Sequence, residues 1–225
     1  MTAFDLDLTR PMLAYALAHL PTGGIPTMTS SWPAAAHAWL QEIRAALARL
    51  PQQPDRDAVR DVADELAASA LRLDLSATRA LTASVADYTH YHRRLVDGAG
   101  DSSYSTLLIA WPRSHRTALH DHAGLWGIEL VLDGVLEVEE FRRADAGLSA
   151  DLVPERTLML GVGDAAVFDG DAYVHRCTNK SSTRPALSLH IYGGTLDAYH
   201  EFVADADGHY AIEPQRARVD ARLHT

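Results

Sequence analysis

The strongest constraint on the fold of this chain is a series of short apolar segments, separated by turn residues, in its second half. Gly, Asp or Pro lies between the segments, which are 106–111, 127–132, 135–141, 158–160, 165–168 and 186–192. Many short strands with such punctuation are typical of a β-sandwich or β-barrel. Asp133-Gly134 also predicts a tight turn, with 135–141 as the returning strand. We therefore expect a mainly β fold over 96–205.

The region 1–95 has helical spacing instead and is predicted to be mostly α-helical. A first apolar stripe, at steps of three or four residues, consists of Trp39, Leu40, Ile43, Leu47 and Leu50. Such a stripe indicates an amphipathic helix, which Pro33 can open and Pro51 can close. A second stripe consists of Val59, Val62, Leu66, Ala70 and Leu71. Asp55 or Asp57 is a plausible cap for that helix.

A third helix is predicted from Ser76, a good N-cap residue, to about Tyr88. The helices and the barrel are expected to form a single domain of residues 1–225, in which 206–225 is a C-terminal tail. The chain has 225 residues, of which 47% are hydrophobic. This length and composition allow one compact domain with a real core, and they exclude global disorder.

Charge and cysteine content narrow the possible partners and the compartment. The formal net charge is -10, which argues against nucleic-acid or anionic-membrane partners because both need a basic face. Cys177 is the only cysteine, which excludes an internal disulfide and a thiolate zinc site. Met1–Thr9 lacks the pattern of a secretory signal, and no apolar run approaches the roughly 20 residues of a membrane span. We expect a cytoplasmic monomer or small homo-oligomer.

Two groups of histidines predict a metal site. His120-Asp121-His122 places two imidazoles on the same face if the segment is a strand, because residues i and i+2 point to the same side. His175, further along the chain, can supply a third. Imidazole suits iron, copper, nickel and zinc, so the ligand type leaves the metal open.

The order and spacing of these histidines resemble the two cupin motifs. In the first motif Gly134 matches the final glycine, whereas Gly127 stands where a glutamate is usual. In the second motif His175 and Asn179 fit. The resemblance implies a cupin barrel, that is, a double-stranded β-helix or jelly roll, with the helical region attached at its N-terminal side.

The missing glutamate bears on the chemistry of the site. Three neutral imidazoles leave the charge of a divalent metal uncompensated, so such a centre should favour an anionic ligand such as a thiolate. Glu129 is a competing ligand because it lies two residues beyond Gly127 on the same strand face. It would stand roughly 7 Å further along the strand.

A second group of polar residues alternates with apolar ones in 187–192. Ser188, His190 and Tyr192 share one face of the predicted strand. One interpretation is that the group forms the solvent face of a half-buried strand. If it points into the barrel, it can form a hydrogen-bonded relay that orients the phenol beside the metal.

Together these elements resemble the cysteine dioxygenase family of thiol dioxygenases. The elements are Tyr91-x-Arg93-x-Leu95-Val96, His120-Asp121-His122, His175 and Ser188-x-His190-x-Tyr192. Members of that family are cupins with Fe(II) on three histidines, and they add both atoms of dioxygen to a thiol to give a sulfinic acid.

The resemblance implies a role for each matching residue. His120, His122 and His175 correspond to the iron ligands. Tyr192 corresponds to the tyrosine over the iron, with His190 and Ser188 behind it. Arg93 corresponds to the arginine that holds the substrate carboxylate, with Tyr91 as its neighbour. A guanidinium can hold a carboxylate through two parallel hydrogen bonds. A surface arginine beside Arg94 is the alternative.

The substrate stays open because the chain mixes two sets of markers. Mammalian members have a cross-linking cysteine where this chain has Gly127. Gly193-Gly194 resembles the 3-mercaptopropionate branch, but that branch usually has glutamine in place of Arg93. The expected substrate is therefore a small thiol carboxylate of the L-cysteine or 3-mercaptopropionate type.

Two other functions remain open on the sequence alone. One is a different metal-dependent cupin enzyme, such as an isomerase or a dioxygenase that cleaves carbon–carbon bonds. The other is a cupin that binds a small molecule and catalyses nothing.

Overall fold

The computed structural model describes residues 27–29, 33–84, 89–98, 102–144, 149–206 and 208–224. Two of the sequence predictions lie outside these residues: the N-terminal segment Met1–Thr9 and the end of the third helix at 85–88. In the described part, one short strand precedes a group of three helices, and the remaining strands of two β-sheets follow.

The helices are α1 (Ala34–Leu47), α2 (Arg56–Ala70) and α3 (Leu75–Ser84). Pro33 precedes the first residue of α1, as predicted. The Asp55 side chain caps α2 by accepting a hydrogen bond from the backbone N–H of Ala58 at 2.8 Å, so Asp55 and not Asp57 is the cap. Within the described residues, none of the helices has the length and apolar character needed to cross a membrane.

The cap of α3 differs from the predicted one. The Asp74 side chain accepts the backbone N–H of Ala77 at 2.7 Å, which makes Asp74 the capping residue and not Ser76. The two positions are neighbours of the same first turn. A carboxylate is the better choice there because it also interacts favourably with the positive end of the helix dipole.

Sheet 1 has seven strands in the order β1-β14-β2-β3-β11-β5-β9. Their bounds are β1 (Thr27–Thr29), β2 (His92–Gly98), β3 (Ser105–Trp111), β5 (Gly127–Asp133), β9 (Ala165–Phe168), β11 (Ala186–Tyr192) and β14 (Ala221–His224). The short strand β14 lies parallel to both β1 and β2, whereas the other neighbours in this sheet are antiparallel.

Sheet 2 also has seven strands, in the order β7-β13-β12-β4-β10-β6-β8. Their bounds are β4 (Leu119–His120), β6 (Leu136–Arg143), β7 (Ser149–Ala150), β8 (Leu152–Leu160), β10 (Tyr173–Asn179), β12 (Ala198–Ala204) and β13 (Tyr210–Arg216). The apolar cluster between the sheets draws on both, for example Ile109 and Phe168 of sheet 1 with Val138 and Cys177 of sheet 2. This two-sheet barrel confirms the predicted mainly β cupin fold.

The Asp133-Gly134 turn exists, but its role is not the predicted one. Gly134 has φ 83°, which suits glycine because a Cβ is strained there. The strand that follows, β6, belongs to sheet 2 and does not pair with β5. The prediction of a returning strand paired with 127–132 was therefore wrong. The turn connects the two sheets instead, since each strand finds a better partner elsewhere: β5 pairs with β11 and β9, and β6 with β10 and β8.

The segment 206–225 was expected to be a tail, yet it carries two strands. β13 pairs along its length with β12 in sheet 2, and β14 pairs with β1 and β2 in sheet 1. The pattern did not predict strands because Pro214 interrupts the first of them and six charged residues are spread through the segment. Only Tyr210 and Ala211 of β13 pair with β7, so among the described strands the outer side of β13 at Pro214 has no partner strand, and such a position tolerates proline.

Sheet 1 is buried on both faces. One face contributes to the cluster between the sheets, and the other packs against the helices in a second cluster that contains Leu40, Leu66, Leu108, Leu130 and Ile191. Every residue of β3 and of β11 is buried. The helical layer therefore covers the outside of the wall whose inner face carries β11.

Candidate metal centre and active site

His120 and His175 face each other across a strand pair of sheet 2. They are direct register partners in the antiparallel pairing of β4 with β10. Their Nε2 atoms are 3.2 Å apart, and their ring centroids are 4.5 Å apart. The backbone pairing alone thus brings two imidazole nitrogens to one point.

His122 reaches the same point through a turn. Strand β4 ends at His120, so the expectation that both histidines of the His-x-His segment lie on one strand was wrong. The turn is held by Asp121, whose carboxylate accepts the backbone N–H of His200 at 2.8 Å and that of Ala123 at 3.2 Å. Ala123 has φ 52°, a left-handed conformation that redirects the chain. One ligating nitrogen from each of the three histidines lies within 4.8 Å of the others.

The cluster is chemically suited to a divalent transition metal. Burial lowers the pKa of all three imidazoles, and that of His122 and His175 lies well below the usual value. The rings are therefore neutral at physiological pH and offer lone pairs. The Nδ1 of His120 lies 3.0 Å from the Ala118 carbonyl oxygen, so the proton is on Nδ1 and the Nε2 lone pair is free. Three neutral imidazoles with converging nitrogens fit a metal ion such as iron.

Glu129 does not join the three-histidine cluster. It is completely buried on β5, where one carboxylate oxygen accepts the thiol of Cys177 at 3.3 Å. The other oxygen lies 3.7 Å from Nε2 of His190. Burial raises the pKa of Glu129 to about 7, since the charged carboxylate is poorly solvated there.

Ser188, His190 and Tyr192 lie in one buried row on β11. The Ser188 hydroxyl is 2.9 Å from His190 Nε2, and His190 Nδ1 is 3.3 Å from the Tyr192 hydroxyl. Burial is the main reason that the pKa of His190 falls to about 3 and that of Tyr192 rises to about 12. Both groups are therefore neutral at physiological pH.

The direction of the hydrogen bonds follows from the donors available. Trp111 can only donate, and its indole N–H gives a 2.8 Å hydrogen bond to the Ser188 oxygen. The Ser188 hydroxyl then donates to His190 Nε2, which leaves the imidazole proton on Nδ1 to be donated to Tyr192. A further hydrogen bond joins the side chains of Arg93 and Tyr192, and arginine can only donate. The phenol oxygen accepts from two sides, and its own proton is free to be donated into the cavity.

Arg93 and Tyr192 lie at a cavity of about 270 Å³. Its lining includes Tyr91, Arg93, His120, His122 and Tyr192. The Arg93 guanidinium lies 6.0 Å from the centroid of the Tyr192 ring. The structure thus brings together the histidine cluster, the relay of Ser188, His190 and Tyr192, and Arg93, the candidate carboxylate-binding residue. His175, the third histidine of the cluster, is only 1% exposed and lies behind the cavity lining.

Gly127 is required by a close approach of Phe168. A Cβ at this position would lie 2.1 Å from the Phe168 ring and 2.8 Å from the Ile191 carbonyl oxygen. The Phe168 ring in turn stacks on His122, with centroids 4.2 Å apart and planes at 21°. The Phe168 ring, which stacks on His122, thus occupies the space that a larger side chain at position 127 would need.

Asn179, which fits the second cupin motif, has a structural role away from the cavity. Its side-chain N–H groups donate to the carbonyl oxygens of Trp111, Pro112 and Arg184 at 2.9–3.2 Å. It ties the end of β10 to two neighbouring loops.

Polar residues around the site that were not identified from the sequence include Trp111, Glu140, Tyr173 and Cys177, as well as Tyr199 and Glu201 in the cavity lining. Two-residue alternation could have identified Tyr173 and Cys177, because both flank His175 on the same face of β10. Glu140 could not be identified in this way, since its position opposite His175 depends on the pairing register of β6 with β10.

The sequence is similar to that of known thiol dioxygenases. Cysteine dioxygenase type 1 of Homo sapiens is 30% identical over 116 residues, which are 52% of this chain and 57% of that protein. The protein of the same name from Danio rerio is 27% identical over 127 residues, 56% of this chain and 63% of that protein. These alignments span a little over half the length of the curated relatives.

Among solved structures, similar chains include an oxalate oxidase in complex with the substrate analogue glycolate. Its TM-score is 0.39 at 16% identity, over 48% of this chain and 54% of that one. A hydroquinone 1,2-dioxygenase in complex with Cd2+ and 4-hydroxybenzonitrile has a TM-score of 0.39 at 16% identity, over 50% and 69% of the two chains. The family model for cysteine dioxygenase type I matches residues 45–205. Since that match covers more than half of the chain, the protein belongs to the cysteine dioxygenase type I family.

Proposed function

We propose that this protein is an iron-dependent thiol dioxygenase, which converts a small thiol carboxylate and dioxygen to the corresponding sulfinic acid. The reaction balances as RSH + O2 giving RSO2H, so no further reductant is needed. The observation that carries the proposal is the convergence of three neutral imidazoles, two of which, His120 and His122, line a cavity together with Arg93 and Tyr192. Membership of the cysteine dioxygenase family supports it.

His120, His122 and His175 would hold the metal. Iron bound there would supply activation of dioxygen and a position for the sulfur of the substrate. The three histidines contribute no negative charge. Glu129 is outside this cluster, although one of its carboxylate oxygens lies within 4.8 Å of a ring nitrogen of His175, and it accepts the thiol proton of Cys177. An anionic thiolate sulfur is therefore the ligand best suited to balance the charge.

Arg93 would bind the carboxylate of the substrate. Its guanidinium is permanently charged and can offer two parallel hydrogen bonds. The hydrogen bond to Tyr192 and the backbone hydrogen bond of Nη1 to the Arg218 carbonyl at 3.3 Å hold the side chain at the cavity. Tyr91 packs beside it, stacked on His115 at a centroid distance of 4.8 Å.

Tyr192 would donate a hydrogen bond from its hydroxyl to the substrate. The Ser188–His190 pair and Arg93 both donate to the phenol oxygen, so the proton of the hydroxyl is left for the cavity. Because the pKa of the phenol is raised to about 12, the proton stays in place at neutral pH. Tyr192 thus acts as an oriented donor that needs no reorganisation during the reaction.

The test is oxygen uptake by the iron-loaded full chain with L-cysteine, 3-mercaptopropionate, cysteamine and mercaptosuccinate, with the product mass recorded. We expect uptake with a thiol carboxylate and a product heavier by two oxygen atoms. Cysteamine has no carboxylate and should be a poor substrate. Absence of uptake with all four thiols, in protein shown to hold iron, would refute the proposal and would favour a cupin that binds its ligand without catalysis.

A further inference from the structure

The three histidines of the cluster differ in what holds their second ring nitrogen. His120 Nδ1 donates to a backbone carbonyl. His122 Nδ1 has no hydrogen-bond partner among the described residues, and its ring is held by stacking on Phe168. His175 Nδ1 instead lies 3.2 Å from the hydroxyl of Tyr173. Within the described chain, His175 is therefore the only one of the three whose Nδ1 is hydrogen-bonded to a side chain.

The hydroxyl of Tyr173 continues to a buried carboxylate. It donates to Oε1 of Glu140 at 3.4 Å, and Arg156 binds the same carboxylate through Nε and Nη2, the latter at 3.1 Å. His175 is 1%, Glu140 2% and Tyr173 8% exposed. In the register of β6 with β10, His175 lies directly opposite Glu140. The chain His175–Tyr173–Glu140–Arg156 thus runs from the cluster to the rim of sheet 2.

We propose that Tyr173 is a positioning residue for the metal, which accepts the Nδ1 proton of His175 and connects this imidazole to the charge of Glu140. The inference rests on the proposed role of His175 as a ligand. With the proton fixed on Nδ1, the Nε2 lone pair points to the cluster. A carboxylate behind the hydrogen bond makes the imidazole a stronger donor to the metal.

Cys177 is the competing partner for His175, and the geometry disfavours it. Its sulfur lies 3.7 Å from His175 Nδ1, and its thiol proton is already donated to Glu129. Sulfur is a weak acceptor, whereas a phenol oxygen at 3.2 Å is an ordinary one. Cys177 therefore supplies the matched control.

The experiment compares metal binding by the full-length wild type, Tyr173→Phe and Cys177→Ala. Phenylalanine keeps the ring that stacks on Phe168 at 5.4 Å and removes only the hydroxyl. Dissociation constants for Co(II) and, without oxygen, for Fe(II) are measured by competition with a chromophoric chelator. The visible absorption of the Co(II) protein reports the ligand field at the same time.

We expect Tyr173→Phe to bind both metals about 10- to 100-fold more weakly and to show an altered Co(II) spectrum, while Cys177→Ala stays within about 2-fold of wild type. Equal affinities for Tyr173→Phe and wild type would overturn the proposal. So would a loss in Cys177→Ala as large as that in Tyr173→Phe.

A second variant keeps the test decisive if Tyr173→Phe does not fold. Glu140→Gln preserves the shape of the carboxylate and removes its charge. We expect it to weaken binding at least 3-fold, and unchanged affinity in this variant would refute the coupling to Glu140. None of these measurements uses a thiol or oxygen turnover, so the outcome is independent of whether the protein is a thiol dioxygenase.

Discussion

At the scale of single residues, the site is made of groups that burial keeps neutral. The imidazoles of the cluster, His190 and the phenol of Tyr192 all have pKa values moved towards the uncharged form by burial. Arg93 is the permanently charged group that lies against the relay. With a metal cation on the histidines, the charge of Arg93 would favour an anionic substrate, whereas Arg116, the other arginine that lines the cavity, is paired with Glu139.

His122→Ala should abolish stable metal binding. Two imidazoles would remain, and two ligands without a third rarely hold a catalytic metal. Metal analysis of protein purified after iron loading is the measurement. His115→Ala is a suitable control because His115 lines the same cavity outside the cluster. Full iron occupancy in His122→Ala would remove this residue from the ligand set.

Arg93→Ala should raise KM for the preferred thiol carboxylate about 10- to 100-fold, since a charge-assisted hydrogen-bonded contact contributes about 1.5–3 kcal/mol. Iron content should not change. Arg116 also lines the cavity but is bound to Glu139 at 2.8 Å, so Arg116→Ala should change KM by no more than about 2-fold. An unchanged KM in Arg93→Ala would place the carboxylate elsewhere.

Single residues also show where sequence reasoning reached its limit. The shared face of Ser188, His190 and Tyr192 follows from the two-residue period of a strand. The exclusion of a larger residue at Gly127 does not follow from that period, because it depends on Phe168, which lies on a strand just over forty positions later. Spacing predicts which side chains share a face but not which ring fills the space beside them.

At the scale of elements, the pairing of β6 with β10 positions both His175 of the histidine cluster and Glu140, the carboxylate that lies opposite it. The inner face of this pair carries His175 and Glu140, and the outer face carries an ion pair between Glu139 and Arg176. Arg176 donates to the Glu139 carboxylate at 2.6 and 2.8 Å. This hydrogen bonding lowers the pKa of Glu139 to about 2, although partial burial opposes it.

Glu139→Gln should therefore reduce stability in a pH-dependent way. The folded pKa of Glu139 is about 2 and its ordinary value is 4.5, so its stabilising effect is complete above pH 4.5 and disappears as the pH falls towards 2. At pH 7 we expect a loss of about 1 kcal/mol, since the pair is partly solvated. Urea unfolding between pH 7 and pH 3 measures it.

The control for this prediction is Glu155→Gln. Glu155 pairs with Arg142 at 3.2 Å, but both side chains are largely exposed, so its effect should be close to zero at every pH. A difference between Glu139→Gln and wild type that does not shrink on acidification would contradict the assignment of the low pKa to Glu139.

The elements themselves were predictable to different degrees. β9 and β11 have the predicted bounds because their apolar runs end at clear turn residues. β8 was predicted only as 158–160 but begins at Leu152. Its first half was not predicted because Pro154 interrupts the strand pattern there. Pro154 lies where the register of β6 with β8 shifts, and such irregularities are where a strand tolerates proline.

At the scale of the whole molecule, sheet 1 is a wall with apolar packing on both sides. Its inner face joins the cluster between the sheets and its outer face joins the helices. The site is built on the inner face through β11, with the helical layer directly behind. We expect the helices and the barrel to unfold as one unit.

Leu66→Ala tests this expectation. Leu66 is 1% exposed in the cluster between α2 and sheet 1, so the variant should lose about 2–5 kcal/mol. Calorimetry should still show one transition, shifted as a whole. Leu71→Ala, at a position that is 65% exposed, should change stability by less than about 0.5 kcal/mol. Separate transitions for helices and barrel would show two independent units.

The overall architecture was predictable because the short apolar segments separated by turn residues and the apolar residues at helical spacing lie in separate parts of the chain. The assignment of strands to sheets was not. Asp133-Gly134 indicates a turn wherever it occurs, yet only the competition among all possible partners sends β6 to the opposite sheet. Strand β14 was missed for a related reason, because its partners β1 and β2 are distant from it in sequence.

The position of the helical layer has a consequence for how the chain is made. A ribosome releases α1 and α2 well before β5 and β9, the strands against which α2 packs. At a synthesis rate of about 5–20 residues per second, the apolar faces of these helices stay exposed for on the order of ten seconds, until the strands of sheet 1 that they cover have been made. We expect the nascent chain to depend on chaperones during that interval, and its yield to be set by events before the barrel exists.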